Sequence, residues 1–216
     1  MKINQVFQIA LLMELSLGTL AGAQATPVQD PSLEPHLFLT LQDFETRKAM
    51  VQHEPWARAA LAAVLKEADG YPQDYLRKFG LTSVTAPEKA AQGAHWYVCP
   101  ETGTHLEFHP PNHNICPDTG KDYQDWPISD VHYHYMHDML SHDALILGIA
   151  YPITGKEIYA QHAAEILKLY ADKYKDYPIV DNYGKQSDWG ARVYSQTLNE
   201  SIWLIDMTFA YDLVRG

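Results

Sequence analysis

The fold is decided by residues 151–174, which read YPITGKEIYAQHAAEILKLYADKY. Proline and glycine occur only near its start, and from residue 157 onward apolar residues recur at helical spacing. We therefore predict a turn over 152–155 and a helix over 157–174. The preceding stretch, from about residue 129 to 150, has the same helical character. A helix, a short turn and a second helix predict an antiparallel helical hairpin.

More helices are predicted on both sides of this hairpin. Thr40, with Asp43 three residues later, forms a capping-box pattern for a helix that runs to about residue 53. A second helix is predicted over 55–70, because it begins with proline and ends at glycine. The last helix is predicted over 190–214, and residues 71–94 are predicted to be irregular.

The last predicted helix is apolar on nearly every side. One face contains Val193, Leu198, Ile202, Ile205, Phe209 and Leu213, and another contains Trp203, Leu204, Met207 and Ala210. A helix with this pattern is usually buried among other helices, and too few helices precede it to cover both faces. The sequence therefore predicts a mainly α fold and a chain that is the N-terminal part of a longer protein.

A repeated pattern marks residues 95–126 as a separate module. Cys99-Pro100-Glu101-Thr102-Gly103 recurs as Cys116-Pro117-Asp118-Thr119-Gly120, and short strands are predicted at 95–99 and 106–108. Two such turns have the shape of zinc knuckles, but Thr102 and Thr119 replace the second cysteine of each.

Three states of Cys99 and Cys116 remain open: a disulfide, a structural zinc site with incomplete ribbon ligands, or free thiols. The spacing of His105, His109 and His113 does not complete a metal site. We prefer the disulfide, because these are the only two cysteines of the chain. We predict no metal and no cofactor.

Composition and charge narrow the possible functions. The chain has 216 residues, with 16 Lys and Arg against 27 Asp and Glu, a net charge of −11, and no basic run longer than two residues. This balance excludes nucleic acid as a partner. Residues 1–25 have a basic start, an apolar run and small residues near the end, which predict a signal peptide and a periplasmic or secreted protein. No later segment is apolar enough to span a membrane.

Four polar residues of the last predicted helix form our candidate substrate-binding site: Arg192, Gln196, Asn199 and Glu200. Helical spacing would place them on one stripe that binds sugar hydroxyls or a uronate carboxylate, with Arg192 as the carboxylate partner. The alternative is an Arg–Glu–Gln network that ties two helices together. A second polar group, interpreted as a solvated helix face rather than a metal site, contains His132, His134, His137 and His142.

Five segments, in order, resemble the heparinase II/III-like polysaccharide lyases. They are PHLFLT at 35–40 with EPWA at 54–57, the doubled Cys-Pro module, YPITG at 151–155 with YADKY at 170–174, SQTLNESIWL at 195–204, and AYDL at 210–213. The resemblance implies an incomplete α/α toroid of antiparallel helical hairpins with a small, degenerate zinc-ribbon-like β-hairpin insertion. It also implies an exported enzyme that cleaves acidic polysaccharides, such as heparan sulfate or alginate, by β-elimination.

In that family the catalytic Asn or His and the catalytic Tyr lie on later helices. The catalytic residues are therefore unknown here and expected beyond Gly216, and these 216 residues alone are expected to be inactive. The implied organisation is a signal peptide (1–25), a linker with N-terminal helices (26–94), the Cys-Pro-x-x-Gly module (95–126) and the start of the toroid (127–216). The alternatives are a non-catalytic carbohydrate-binding or scaffold protein and an α/α-toroid glycoside hydrolase, which would need a second carboxylate across the cleft.

Overall fold

The computed structural model describes residues 34, 35, 37 and 39–215, so the predicted signal peptide lies outside the described residues. Within them, the chain forms six α-helices and one two-stranded sheet. They are α1 (Leu41–His53), α2 (Pro55–Gly70), α3 (Gln73–Phe79), β1 (Glu107–His109), β2 (His113–Ile115), α4 (Val131–Thr154), α5 (Glu157–Lys173) and α6 (Thr197–Val214). The mainly α fold class is confirmed, and the toroid arrangement stays a prediction.

Helices α4 and α5 form the predicted antiparallel hairpin. Tyr151, near the end of α4, donates a hydrogen bond to Glu157 at the start of α5 (3.2 Å). At the other end of the pair, His137 of α4 is hydrogen-bonded to Tyr170 of α5 at 2.7 Å. Because the end of one helix lies beside the start of the next, the two helices run in opposite directions.

Helix α4 ends later than the sequence predicts. It continues through Pro152 to Thr154 instead of ending near residue 150. Pro152 has no backbone N–H, which deprives the last turn of one hydrogen bond without ending the helix. The helix ends at Thr154 and is capped by Gly155, whose φ of 68° lies in the left-handed region that favours glycine.

Helix α6 packs against both members of the hairpin. Tyr174, directly after α5, donates a hydrogen bond to Glu200 in the first turn of α6 at 2.7 Å, so α6 runs antiparallel to α5. A Cβ on Gly148 of α4 would lie 3.4 Å from the Cα of Ala210, which shows how closely α4 and α6 approach. The main core forms around these three helices, and its members include Leu140, Ala144, Leu147, Ala163, Ile166, Tyr170, Trp203 and Met207.

The face of α6 that packs is mainly the smaller apolar face of the sequence pattern, together with Leu213 from the larger one. Trp203, Met207, Ala210 and Leu213 are buried. Leu198, Ile202 and Ile205 are 61%, 56% and 50% exposed. Helix α6 therefore has one apolar face in the core and a second one in solvent, among the residues that the structure describes.

Helices α1 and α2 are confirmed, and α1 has the predicted capping box. The Thr40 hydroxyl accepts the Asp43 N–H at 3.2 Å, and the Asp43 carboxylate accepts the Thr40 N–H at 2.9 Å. Helix α3 lies in a stretch for which the sequence predicts irregular structure. It is too short for its periodicity to stand out, and burial of Tyr75 and Phe79, one turn apart, explains its formation.

Of the two strands predicted in the module, the one at 106–108 is present, shifted by one residue, as β1, and the one at 95–99 is wrong. β1 and β2 are antiparallel, with Phe108 opposite Asn114. The predicted strand at 95–99 is instead a 3₁₀ turn over Ala94–Trp96, followed by a single bridge from Val98 to His105. Each Cys-Pro turn reverses the chain within five residues, which leaves room for only short pairings. None of the helices in the described part of the chain is long and apolar enough to cross a membrane.

Candidate functional site

Glu200 anchors the segment that leads into α6. One of its carboxylate oxygens accepts the backbone N–H groups of Arg192 and Val193, both at 2.6 Å, and the other oxygen accepts the Tyr174 hydroxyl. A carboxylate that accepts several N–H groups is a strong local constraint on the backbone. The candidate residue Glu200 therefore has a structural role in the fold.

The predicted stripe over Arg192, Gln196 and Glu200 is wrong, because α6 begins only at Thr197. The preceding residues form isolated backbone bridges separated by bends rather than a helix: Ala191 exchanges two backbone hydrogen bonds with Val180, and residues 193 and 195 pair with Ala91. These partners lie far away in the sequence, so helical spacing does not apply to Arg192.

The guanidinium of Arg192 also fixes the backbone, in the segment that follows α5. It donates hydrogen bonds to the backbone carbonyls of Lys175 and Tyr177 and lies 5.9 Å from the ring centroid of Tyr174. Arg192 and Glu200 thus both fix the connection between α5 and α6. They do so through hydrogen bonds to the backbone and to Tyr174, and not through a network of Arg, Glu and Gln side chains between two helices. Their role in substrate binding stays a prediction.

The other two candidate residues lie at the start of α6. Gln196 is the N-terminal cap residue and is exposed, and Asn199 is half-buried in the first turn. Their amide groups can donate and accept hydrogen bonds. Gln196 is the more accessible of the two to solvent.

His134, Asp138 and Tyr194 meet beside this segment, and we call them the polar junction. The Tyr194 hydroxyl donates a hydrogen bond to Asp138, and His134 Nε2 lies 3.3 Å from the same carboxylate. Tyr194 is buried, whereas the Asp138 side chain is 53% exposed. The sequence signal for part of this group was the one-turn spacing of His134 and Asp138, but nothing pointed to Tyr194.

The protonation states of the polar junction follow from its contacts. Burial alone would raise the pKa of Asp138, but hydrogen bonds from His134 and Tyr194 outweigh it and lower that pKa. Burial and the Asp138 charge raise the pKa of Tyr194 far above its usual value. At neutral pH the group is therefore a carboxylate beside a phenol. An exposed carboxylate accepts hydrogen bonds from sugar hydroxyls and repels a uronate carboxylate.

The four histidines do not form the solvated face that their sequence pattern predicts. His137 is fully buried, with Nδ1 2.7 Å from the Tyr170 hydroxyl, and its burial lowers its pKa to about 3. His132 and His134 are half-buried, and His132 stacks on Phe108. Only His142 of this group is exposed. Across the described residues, no cluster of three or more His, Cys, Asp or Glu is arranged to hold a metal ion.

The two Cys-Pro turns of the module have the same hydrogen-bond pattern. The Gly103 N–H donates to the Cys99 carbonyl and the Gly120 N–H donates to the Cys116 carbonyl, both at 2.8 Å. The hydroxyls of Thr102 and Thr119 each accept the N–H two residues further on, both at 3.3 Å. Both glycines have positive φ, at 74° and 70°. The structure thus shows that the sequence repeat is also a repeat of backbone conformation.

Cys99 and Cys116 are both buried, and the structure holds them as free thiols rather than as the preferred disulfide. Burial alone would raise the pKa of Cys99, but hydrogen bonds from Cys116, Thr102 and Tyr123 outweigh it and lower that pKa to about 6. The Cys116 thiol is thus one of the hydrogen-bonding partners of the Cys99 thiol. Their oxidation to a disulfide stays a prediction.

Comparison of the sequence with models of known protein families gives no match, and comparison with curated proteins gives no significant match. The similarity to heparinase II/III-like lyases therefore rests on the five sequence segments alone. One of them, residues 195–204, contains both Gln196 and the anchor residue Glu200.

Proposed function

We propose that this protein is an exported polysaccharide lyase that cleaves uronic-acid polymers, such as heparan sulfate or alginate, by β-elimination. In this proposal the described residues contribute to glycan binding. The observation that carries it is the position of residues 195–204, a segment similar to the lyase family. This segment begins α6 beside the polar junction, where Gln196 and Asp138 are open to solvent.

The chemistry defines what these residues contribute. In β-elimination a base removes the proton at C5 of the uronate, the C5–H electron pair forms the C4–C5 double bond, and the C4–O bond breaks as its oxygen is protonated. The Tyr194 phenol stays protonated at neutral pH because its pKa is raised, so it is not available as the base that removes the C5 proton. We therefore assign sugar-hydroxyl binding to Asp138 and Gln196, and assign no catalytic step to a described residue.

The test is to incubate the full-length protein with heparin, alginate and chondroitin sulfate and to follow the ultraviolet absorbance of the unsaturated uronate product. We expect the absorbance to rise with one of these polymers and not with neutral amylose. In the Gln196→Ala variant, which removes an exposed amide that can bond sugar hydroxyls, we expect KM to rise more than kcat falls. No absorbance change with any of the uronate polymers would overturn the lyase proposal.

A second candidate is a carbohydrate-binding protein without catalysis. One observation favours it: four of the five tryptophans are well exposed in the structure. Retention of an acidic polymer without any unsaturated product would support this candidate over the lyase.

A further inference from the structure

The loop between β1 and β2 has a histidine at each end. Residues 109–113 read His-Pro-Pro-Asn-His, and the strand register places His109 directly opposite His113. Alternate residues of a strand lie on the same face of the sheet, so Glu107 shares this face with both histidines. All three side chains are exposed. The sequence spacing alone does not reveal this juxtaposition, because the pairing of the two strands creates it.

Each imidazole of this pair has a carboxylate beside one of its nitrogens. His113 Nδ1 lies 2.6 Å from Asp122 Oδ2, and His109 Nε2 lies 3.6 Å from Glu107 Oε2. A carboxylate favours the proton on the ring nitrogen that faces it, which leaves a lone pair on the other nitrogen. Metal-binding histidines are oriented in the same way, by a carboxylate that accepts the second N–H of the ring. The nitrogens left for a ligand are therefore Nε2 of His113 and Nδ1 of His109.

The backbone that carries the two histidines is fixed on its other side. Asn114 is fully buried there: its amide group donates to the Tyr123 carbonyl at 2.9 Å and accepts the Tyr97 hydroxyl at 2.7 Å. A Cβ on Gly80, directly after α3, would lie 2.7 Å from the Cβ of Pro110, so the loop packs closely against the end of that helix. A site whose backbone is already ordered loses less entropy when it binds a ligand.

We propose that His109 and His113 bind a divalent transition-metal ion between β1 and β2. Glu107 and Asp122 orient the two rings, and we call these four residues the hairpin metal site. Directly opposite residues of an antiparallel pair have Cβ atoms about 5 Å apart, and an imidazole nitrogen binds a metal ion at about 2 Å. Rotation of the two exposed side chains brings one nitrogen of each to the same ion. This inference does not depend on the proposed lyase activity.

The ligand chemistry of the hairpin metal site selects the kind of ion. Imidazole nitrogen suits copper, nickel and zinc, whereas calcium and magnesium prefer oxygen, and Cu(II) has the highest affinity of the three for a given site. Two neutral imidazoles beside two carboxylates carry net negative charge, which a divalent cation neutralises. Water fills the other coordination positions, because the described residues contain no metal-holding cluster of three or more His, Cys, Asp or Glu. The site therefore binds an exchangeable ion and not one that the fold requires.

The test is a titration of the untagged full-length protein with Cu(II) chloride, followed by calorimetry and by electron paramagnetic resonance. We expect one Cu(II) ion with two nitrogen ligands, weaker binding of Zn(II) and no binding of Mg(II). His109→Gln and His113→Gln should each weaken Cu(II) binding by more than about tenfold, because loss of a direct ligand costs more than loss of an orienting carboxylate. The matched control is His142→Gln, which removes an exposed histidine 3.0 Å from the Glu67 carboxylate but outside the strand pair. It should leave the affinity and the spectrum unchanged.

A second measurement separates metal binding from folding. Because His109 and His113 are exposed, the variant with both replaced by glutamine should melt at the temperature of the wild type when no metal is added. Cu(II) should raise the melting temperature of the wild type and not that of the double variant. An equal rise in both proteins would overturn the site, as would unchanged Cu(II) affinity in the two single variants or an equal loss in His142→Gln. Formation of unsaturated product from a polysaccharide does not enter any of these outcomes.

Discussion

The carboxylate of Glu200 accepts the backbone N–H of Arg192 at 2.6 Å, and the guanidinium of Arg192 donates to the carbonyls of Lys175 and Tyr177 in a different segment. Two residues of opposite charge thus hold the same piece of chain, each through hydrogen bonds to the backbone. The connection between α5 and α6 depends on both of them.

Replacement of Glu200 by alanine should therefore destabilise the fold. The variant leaves the N–H groups of Arg192 and Val193 without their acceptor, and we expect the free energy of unfolding to fall by about 2 kcal/mol. Urea denaturation measures this loss. The exposed neighbour Gln196→Ala should stay within about 0.5 kcal/mol of the wild type. Equal stability of the two variants would contradict the anchor role of Glu200.

His137 should make the protein sensitive to acid. Its pKa is about 3 in the fold against 6.5 for an unperturbed histidine, because burial disfavours the charged ring. The unfolded chain therefore binds a proton below pH 6.5 and the folded one does not, so stability is complete above pH 6.5 and is lost as pH falls. The expected slope from this group is about 1.4 kcal/mol per pH unit. Denaturation of His137→Gln from about pH 7 to about pH 4 should show a shallower slope than the wild type, and an unchanged slope would contradict this role of His137.

Ionisation of Asp143 should change the stability of the protein in the opposite direction, lowering it as pH rises. It is buried, its Oδ2 has no hydrogen-bond partner among the described residues, and burial raises its pKa to about 7. Its stabilising contribution is complete below the ordinary value of 3.8 and is lost as pH rises through about 7. At about pH 8 the free energy of unfolding of Asp143→Asn should therefore exceed that of the wild type by about 2 kcal/mol. Near the ordinary carboxyl pKa the difference between the variant and the wild type should vanish.

The state of Cys99 and Cys116 can be measured directly. In an oxidising compartment we expect thiol–disulfide exchange with a disulfide oxidant to join the two sulfurs and reduce the oxidant to its dithiol. Alkylation followed by mass spectrometry should then count two thiols only after reduction. The disulfide should stabilise the module by about 3 kcal/mol through the lost entropy of the unfolded chain. Two alkylated thiols in the exported, unreduced protein would show that the pair stays reduced.

The exposed apolar face of α6 should cause the protein to self-associate. Leu198, Ile202 and Ile205 form an exposed apolar surface at helical spacing. Ile202→Ser with Ile205→Ser should reduce self-association in light scattering while the melting temperature changes little. The buried control Trp203→Ala should cost about 3–5 kcal/mol of stability. If the double serine variant scatters light as strongly as the wild type, this face does not mediate self-association.

The sequence alone was sufficient where local chemistry determines structure. The capping box at Thr40, the proline start of α2 and the turn at Gly155 all act within a few residues, and all are present. The start of α6 was not predictable in this way. Residues 191–195 carry a helical pattern, but they pair with Ala91 and Val180, and such pairings depend on the assembled fold.

In the candidate site, too, the sequence predicts which residues lie near each other along the chain, but not the contacts that depend on the assembled fold. Arg192, Gln196, Asn199 and Glu200 do gather around the start of α6, but backbone contacts decide which of them face solvent. The polar junction needed Tyr194 and Asp138, 56 residues apart, to meet. The exposure of Trp56 and Trp189 is likewise visible only in the structure, because a sequence does not distinguish a surface tryptophan from one in the core.

In the Cys-Pro turns, threonine stands where a zinc ribbon has its second cysteines. The hydroxyls of Thr102 and Thr119 accept hydrogen bonds from backbone N–H groups there. A chelator should therefore leave these turns intact. Cells starved of zinc should make the same module as cells that are well supplied.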